Sequence, residues 1–479
     1  MAGSGHENGA ISIRPADNLA VFEVSKKPKK NKFALGYAML ASLTSMLLGY
    51  DIGVMSGAII FIKKDLKIND VQIEILVGVL NLYCLVGSIV AGNIADWIGR
   101  RYTIVLANVI IFVGSLFMGF SVNYAFLMVG RFIAGIGVGF AIMGAVLYNA
   151  EISPASSRGF LTSFPEVCIN VGILLGYVSN YAFSKLPTRI GWRLMLGAGA
   201  TPSIFLVFAV LAMPESPRWL VMQGKLGEAK VVLEKTLDTK EEAQLRLNDI
   251  KEAAGIPQDS TGDVVVVQKQ TNSNGVWREL LLHPTPTVKH ILICTVGIHF
   301  FQQSSGVDAV VLYSPRIFEK AGIASSNEQL LTTVAVGICK TIFILVATFL
   351  LDKSGRRALL LITFFAIGMG PIAGIYTSKI FPLKLLAQGI SLGVAVNRVT
   401  SGIISMTFLS LYQAITIGGA FFLFAGIAAV GWLFFNICLP ETRGKTLEET
   451  ERLFGNLVGW REVDKKMKED NTKGATHGQ

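Results

Sequence analysis

Eleven apolar runs, each near the length of a bilayer crossing, follow one another along this chain, at 33–60, 71–95, 102–121, 124–148, 160–183, 191–213, 289–312, 329–351, 358–381, 388–411 and 415–439. About 20 apolar residues span a ~30 Å hydrocarbon core as a helix. Inside that core every backbone N–H and C=O needs an internal partner, which leaves helices or closed barrels. The runs are continuous rather than alternating at every second residue, so a barrel is excluded. The expected fold class is all-α, in the membrane, with the lipid bilayer as its first partner.

A hydrophobic share of 52% against 16% charged residues agrees with that reading. The net charge of +10 sits in tails and inter-span loops rather than in a patch interleaved with aromatics, so it describes topology and not a nucleic-acid partner. The five cysteines lie in or beside apolar runs without metal-type spacing, and no nucleophile and base constellation is visible. No metal, no cofactor and no enzymatic activity are expected.

The box Asp96-Trp97-Ile98-Gly99-Arg100-Arg101 lies between two apolar runs and recurs as Asp352-Lys353-Ser354-Gly355-Arg356-Arg357. Paired arginines beside a span mark the cytosolic side. The chain therefore reads as two related halves: a cytosolic tail at 1–32, a first bundle at 33–213, a cytosolic linker with short amphipathic helices at 214–288 and a flexible stretch near 257–275, a second bundle at 289–439, and a cytosolic tail at 440–479. Matched landmarks test the repeat. Asp96 and Asp352 are 256 residues apart, Glu151 and Lys379 228 apart, and Pro214 and Pro440 226 apart. The offset drops by about 28 between Asp352 and Lys379. By that measure the second bundle is short by about one helix, with eleven runs instead of twelve.

These boxes occur with Gly130-Arg131-Phe132, Pro214-Glu215-Ser216-Pro217-Arg218-Trp219, the 301–315 stretch FQQSSGVDAVVLYSP and Pro440-Glu441-Thr442-Arg443. In this set and order the chain resembles the sugar porters of the major facilitator superfamily, and within them the plant polyol and monosaccharide proton symporters. The likeness runs over about 33–455. It implies two pseudo-symmetric helix bundles, a substrate site between them and alternating access. The substrate would be a small polyol or monosaccharide, carried with a proton, across the plasma membrane rather than the vacuolar one.

Asp51 is an acid inside the first run, where a charge costs roughly 2.5–3.5 kcal/mol and calls for a partner or a task. The resemblance pairs it with Arg131 as the proton-coupling site; a fixed ion pair that only sets helix packing is the alternative. A site for many hydroxyls suits amides and carboxylates, which accept and donate around them. Gln302 and Gln303, with Asp308 expected further along the same helix, fit that need, and the resemblance adds Asn397 and Glu166. Interhelical hydrogen bonding is the competing role for each amide. Asp96, Arg100, Arg101, Glu151 and Arg158, with Asp352, Arg356 and Arg357, resemble an inner-gate charge network. Phe300 and Tyr313 read as packing or gate residues.

The pattern departs from the family within 358–386. Lys379 and Leu386 stand where the first half has Glu151 and Arg158, and Gly374 stands where an aromatic usually closes over the sugar. Two conformations of 358–381 fit the sequence. One full crossing would put the tail after Pro440 outside, whereas a hairpin broken at Gly370-Pro371 would keep it inside. A transport-impaired splice or deletion form, or a non-transporting sensor-like relative, is accordingly the alternative function.

Overall fold

A computed structural model of the chain describes residues 31–154, 158–257, 262–265, 284–354, 372–381, 385–441, 453, 454, 460 and 462. The described residues are overwhelmingly helical. Among the described residues, eight helical segments are long and apolar enough to cross a membrane.

In the first half α1 (Lys32–Leu66), α2 (Asp70–Ile98), α3 (Arg100–Gly119) and α4 (Tyr124–Ile152) run up and down. The short α5 (Arg158–Leu161) leads into α6 (Phe164–Phe183), and α7 (Thr188–Gly197) with α8 (Ala200–Leu211) completes the half. Asparagines begin the turns: Asn31, Asn69 and Asn123 each accept a first-turn N–H, and Asn69 forms a full capping box with Gln72. Small residues let α1 and α6 approach to backbone contact. A Cβ at Gly49 would lie 1.8 Å from the Ile169 carbonyl oxygen, and one at Gly172 would lie 2.1 Å from that of Met46. The seam is reciprocal, so neither glycine can grow without parting the helices.

The linker packs as a small unit of α9 (Pro217–Met222), α10 (Leu226–Thr236) and α11 (Lys240–Ala253) around Leu220, Val221, Leu226, Leu233 and Leu247. Part of the stretch expected to be flexible is pinned. Val265 N–H donates to Gly224 O and Gly227 N–H to Asp263 O, and Lys225 bridges Val264, because the tight turn at Gly224 (φ 78°) exposes its backbone to them. Asn31 Nδ2 donates to Lys235 O and Leu237 O, so the start of α1 lies on the linker face.

The second half contains α12 (Pro286–Ser304), α13 (Val307–Lys320), α14 (Ser326–Ser354), α15 (Ile372–Ile380) and α16 (Leu386–Cys438). Asp308 does not continue the helix of Gln302 and Gln303. Gly306 adopts φ 81°, which ends α12 and starts α13, and Asp308 occupies the first turn of the new helix. A Ser-Ser-Gly sequence breaks the helical ladder even inside an apolar run.

α16 is a hairpin of two arms, interrupted at Thr416 (φ 66°, ψ 162°). Along the first arm Gly393 meets His299, Asn397 meets Gln303, Ser401 meets Asp308 and Ser405 meets Tyr313, so this arm runs with α12 and α13. On the second arm Phe424 meets Gly306, Phe434 meets Gly297 and Cys438 meets His290, so the chain returns against them. Residue 438 thus ends where α12 begins, on the linker face.

α14 starts beyond Lys320 on the far face and runs down to pack against α5 on the linker face. Leu386, at the head of the first arm, also lies there, as does Tyr376, whose hydroxyl donates to Pro440 O at 2.8 Å. The stretch between α14 and α16 therefore starts and ends on one face. The two conformations expected for 358–381 turn on residues 355–371, which lie outside the described ones.

Candidate functional site

Asp51 and Arg131 meet between α1 and α4. Arg131 Nη1 donates to both carboxylate oxygens, at 2.6 and 2.8 Å, and Nε donates to Leu76 O at 3.2 Å. Both side chains are buried. The arginine has only donors and the carboxylate only acceptors, so each satisfies the other with the desolvated geometry such a pair requires. A small cavity of about 10 Å³, near the size that holds one water, touches Asp51 and Ser115. Asp51 faces α4, whereas its neighbours Leu48 and Ile52 face the central cavity.

That central cavity, of about 210 Å³, is walled by both halves. Glu166 and Asn170 enter from α6, Gln302 and Gln303 from α12, Asp308 from α13, and Asn397 from α16. The structure thus brings all five sequence-derived substrate candidates to one space, across the Gly306 break. Their bonding has a direction. Gln303 Nε2 donates to Asn397 Oδ1 at 3.0 Å, and Asn397 Nδ2 donates to Gln302 Oε1 at 3.2 Å. Ser401 Oγ donates to Asp308 Oδ2. Tyr313 lies outside this space, fully buried and stacked on Phe408 at 5.3 Å, while Phe300 is 44% exposed.

Three ionisable residues in the cavity wall were absent from the sequence-derived set: His299, Lys340 and Arg398. Arg398 donates from Nε and Nη2 to Asn397 Oδ1, at 3.0 and 2.6 Å, and from Nη1 to Asn81 Oδ1 of the first half at 3.3 Å. A guanidinium can only donate, so it fixes the Asn397 oxygen toward itself and the amide nitrogen toward Gln302. His299 bonds Thr377 Oγ1 at 3.3 Å and also contacts Gln302. A sequence signal existed for all three, since an ionisable side chain within an apolar run is a functional candidate by default.

On the linker face Arg100 gathers the charge cluster. It donates to Glu151 from Nε at 3.0 Å and from Nη2 at 3.2 Å, pairs with Asp96 at 3.0 Å, and donates from Nη1 to Ala95 O. Ser216 Oγ also donates to Glu151 Oε2. Arg101 contributes its backbone: its N–H and that of Arg100 donate to Glu215, while its guanidinium lies over the Tyr102 ring at 5.1 Å. Burial pushes the Glu215 carboxyl up from its ordinary range, against the opposite pull of those backbone N–H groups. The Arg158 and Asp352 side chains, and all of Arg356 and Arg357, lie outside the described residues.

The family described as "Sugar (and other) transporter" matches residues 37–364 and 359–454. Polyol transporter 5 of Arabidopsis thaliana is 58% identical to this chain, over 93% of it and 90% of the relative. Putative polyol transporter 1 of the same plant is 58% identical over 98% and 99%. The glucose transporter GlcP of Staphylococcus epidermidis is 31% identical over 88% and 97%. Among solved structures, the proton:xylose symporter XylE bound to 6-bromo-6-deoxy-D-glucose superposes with a TM-score of 0.73 at 24% identity, covering 89% of this chain and all of that one. With a matching helical fold and a two-sided cavity, the chain belongs to the sugar (and other) transporter family and is a multi-pass membrane transport protein of the major facilitator fold, not an enzyme.

Proposed function

We propose that the chain carries a polyol or monosaccharide together with a proton by alternating access. The observation that carries this reading is the convergence of Glu166, Gln302, Gln303, Asp308 and Asn397 on one cavity between the halves. Carboxylates and amides suit a ligand whose hydroxyls each donate and accept. The names of the polyol transporters at 58% identity support the substrate class.

Asp51 is the proton acceptor in this scheme and Arg131 its partner. A proton on Asp51 removes the charge that the guanidinium neutralises, which loosens α1 from α4. Because Leu48 and Ile52 of the same helix wall the cavity, movement of α1 reaches the substrate without Asp51 touching it. The linker-face cluster of Arg100, Glu151 and Asp96, with Arg101, Arg158, Asp352, Arg356 and Arg357, acts as the inner gate, broken as the halves part on that side.

The test is uptake of a labelled hexitol into proteoliposomes under an imposed proton gradient. Uptake by the wild type, lost in Asp51→Asn while substrate exchange without a gradient persists, is the expected result. Gradient-driven uptake unchanged in Asp51→Asn removes the coupling role.

One observation favours a second reading, a transport-impaired form. The family match falls in two stretches, which meet at 359–364 where the two halves of the repeat lose register. Under that reading the wild type is silent and gains uptake when a helix is restored there. Robust wild-type uptake excludes it.

A further inference from the structure

The small cavity beside Asp51 lies apart from the substrate space. Its wall comes from α1, α3, α4 and α7 with Gly199, all in the first bundle, and shares no lining residue with the central cavity. Three side chains in that wall carry polar atoms: Asp51, Tyr50 and Ser115. Tyr50 is already engaged, because its hydroxyl donates to Met195 O at 2.8 Å and bonds Ser179 Oγ at 2.9 Å. Ser115, on α3, is not. The residue is 4% exposed, and its hydroxyl makes no hydrogen bond to any described residue while it borders the cavity. Gly199 keeps that space open, since a Cβ there would lie 3.3 Å from the Tyr50 ring and 3.4 Å from Ser115 Oγ.

The carboxylate has capacity left as well. Arg131 Nη1 takes one position on each oxygen, whereas an ionised carboxylate offers about four. The charged group facing Asp51 is Arg131 from α4, and Tyr50 is its titratable neighbour on α1; α3 and α7 bring no ionisable side chain to the cavity wall. A proton that reaches Asp51 on this side therefore travels by water and hydroxyl. One water between Asp51 and Ser115 has the room and the two polar partners that a buried water requires. A hydroxyl suits both forms of that water: it accepts from a hydronium, which can only donate, and donates to neutral water. Resting on the coupling role given to Asp51 above, we infer that Ser115 is a positioning residue for the transported proton, holding the water through which Asp51 is loaded and unloaded inside the first bundle. On loading, an O–H bond of the hydronium breaks and its proton binds a carboxylate oxygen of Asp51, leaving neutral water and a neutral acid. Release reverses the step.

The test compares two rates in proteoliposomes holding the full chain: gradient-driven uptake of a labelled hexitol, in H2O and in D2O, and hexitol exchange without a gradient. Wild type, Asp51→Asn, Ser115→Ala, Ser115→Thr and Gly199→Ala are measured, with folding checked by thermal unfolding. Ser115→Ala should lower gradient-driven uptake at least ten-fold, with a much smaller loss of exchange, and should raise the solvent isotope effect as proton delivery becomes rate-limiting. Gly199→Ala, which fills the space, should do the same, and Ser115→Thr, which keeps the hydroxyl, should restore most of the rate. Wild-type uptake with an unchanged isotope effect in folded Ser115→Ala overturns the inference. Equal losses of uptake and exchange in Ser115→Ala, the mark of a packing defect, overturn it too. If Ser115→Ala does not fold, Gly199→Ala decides by the same criteria. Coupling lost in Asp51→Asn but intact in Ser115→Ala removes this inference alone, whereas a silent wild type, or uptake unchanged in Asp51→Asn, overturns the coupling reading and this inference with it.

Discussion

At the scale of single residues, the buried pair of Asp51 and Arg131 is the most consequential contact. Removing one member of such a pair strands the other charge, at a cost of about 3–5 kcal/mol. Arg131→Leu and Asp51→Asn should therefore each lower the unfolding temperature in detergent, the first leaving a buried carboxyl and the second a buried guanidinium without its counter-charge; no loss in either variant would contradict a desolvated pair. Gly374 gives a contrasting expectation. It lines the cavity, and a Cβ there would meet nothing within 4 Å. Gly374→Trp should add an apolar face over a bound sugar and tighten hexitol binding several-fold, measurable by titration. Most of this site was legible because a polar residue in an apolar run is conspicuous. The same signal marks Lys340 and Arg398, but their roles depend on the rotation of α14 and α16, which spacing alone does not define.

Among elements, α3 shows how a distant segment completes a helix. No side chain of its own N-terminal turn caps it. Glu215, from beyond α8, accepts the N–H groups of Arg100 at 2.9 Å and Arg101 at 3.1 Å. Loss of such a cap costs about 1–2 kcal/mol. Glu215→Ala should lower the melting temperature, and Glu215→Gln, which keeps an acceptor without the buried charge, should recover most of the loss. Gly99 holds the approach open: its φ is 100°, and a Cβ would come within 2.3 Å of Glu215 Oε2. Gly99→Ala should therefore destabilise at least as much as Glu215→Ala in the same measurement. The repeated Asp-x-x-Gly-Arg-Arg box was readable as a side marker, but not as a docking platform for the Pro-Glu-Ser-Pro segment, which lies over 100 residues away. The break at Gly306 was similarly hidden by the continuity of apolar residues around it. Thr416 carries none of the residues that usually announce a reversal, and there the separation of the last two runs was the better guide.

For the whole molecule, the far face is where the halves hold each other. Asp70 pairs with Arg316 at 3.2 Å, and Glu74 accepts both the N–H and the hydroxyl of Ser410 at 2.7 Å. The two locks are unequal. The Asp70 side chain is 35% exposed, so its pair contributes at most about 1 kcal/mol. Glu74 is 3% exposed, and hydrogen bonds to a buried carboxylate are worth about 1.5–3 kcal/mol each. Glu74→Ala should shift the population toward a far-face-open form more than Arg316→Met does, read as longer distances between spin labels placed on α2 and α16. Distributions that do not move would deny Glu74 the role of lock. The two-bundle architecture was legible in the repeat and the spans, whereas which face is closed depends on contacts between halves that no local pattern encodes. The shared face of residues 286 and 438 has a last consequence, one of parity. A chain that leaves and rejoins the same side crosses an even number of times. Among the described residues, α12 with α13, α14 and the two arms of α16 account for an even set, which returns the chain at Cys438 to the side from which Pro286 leaves.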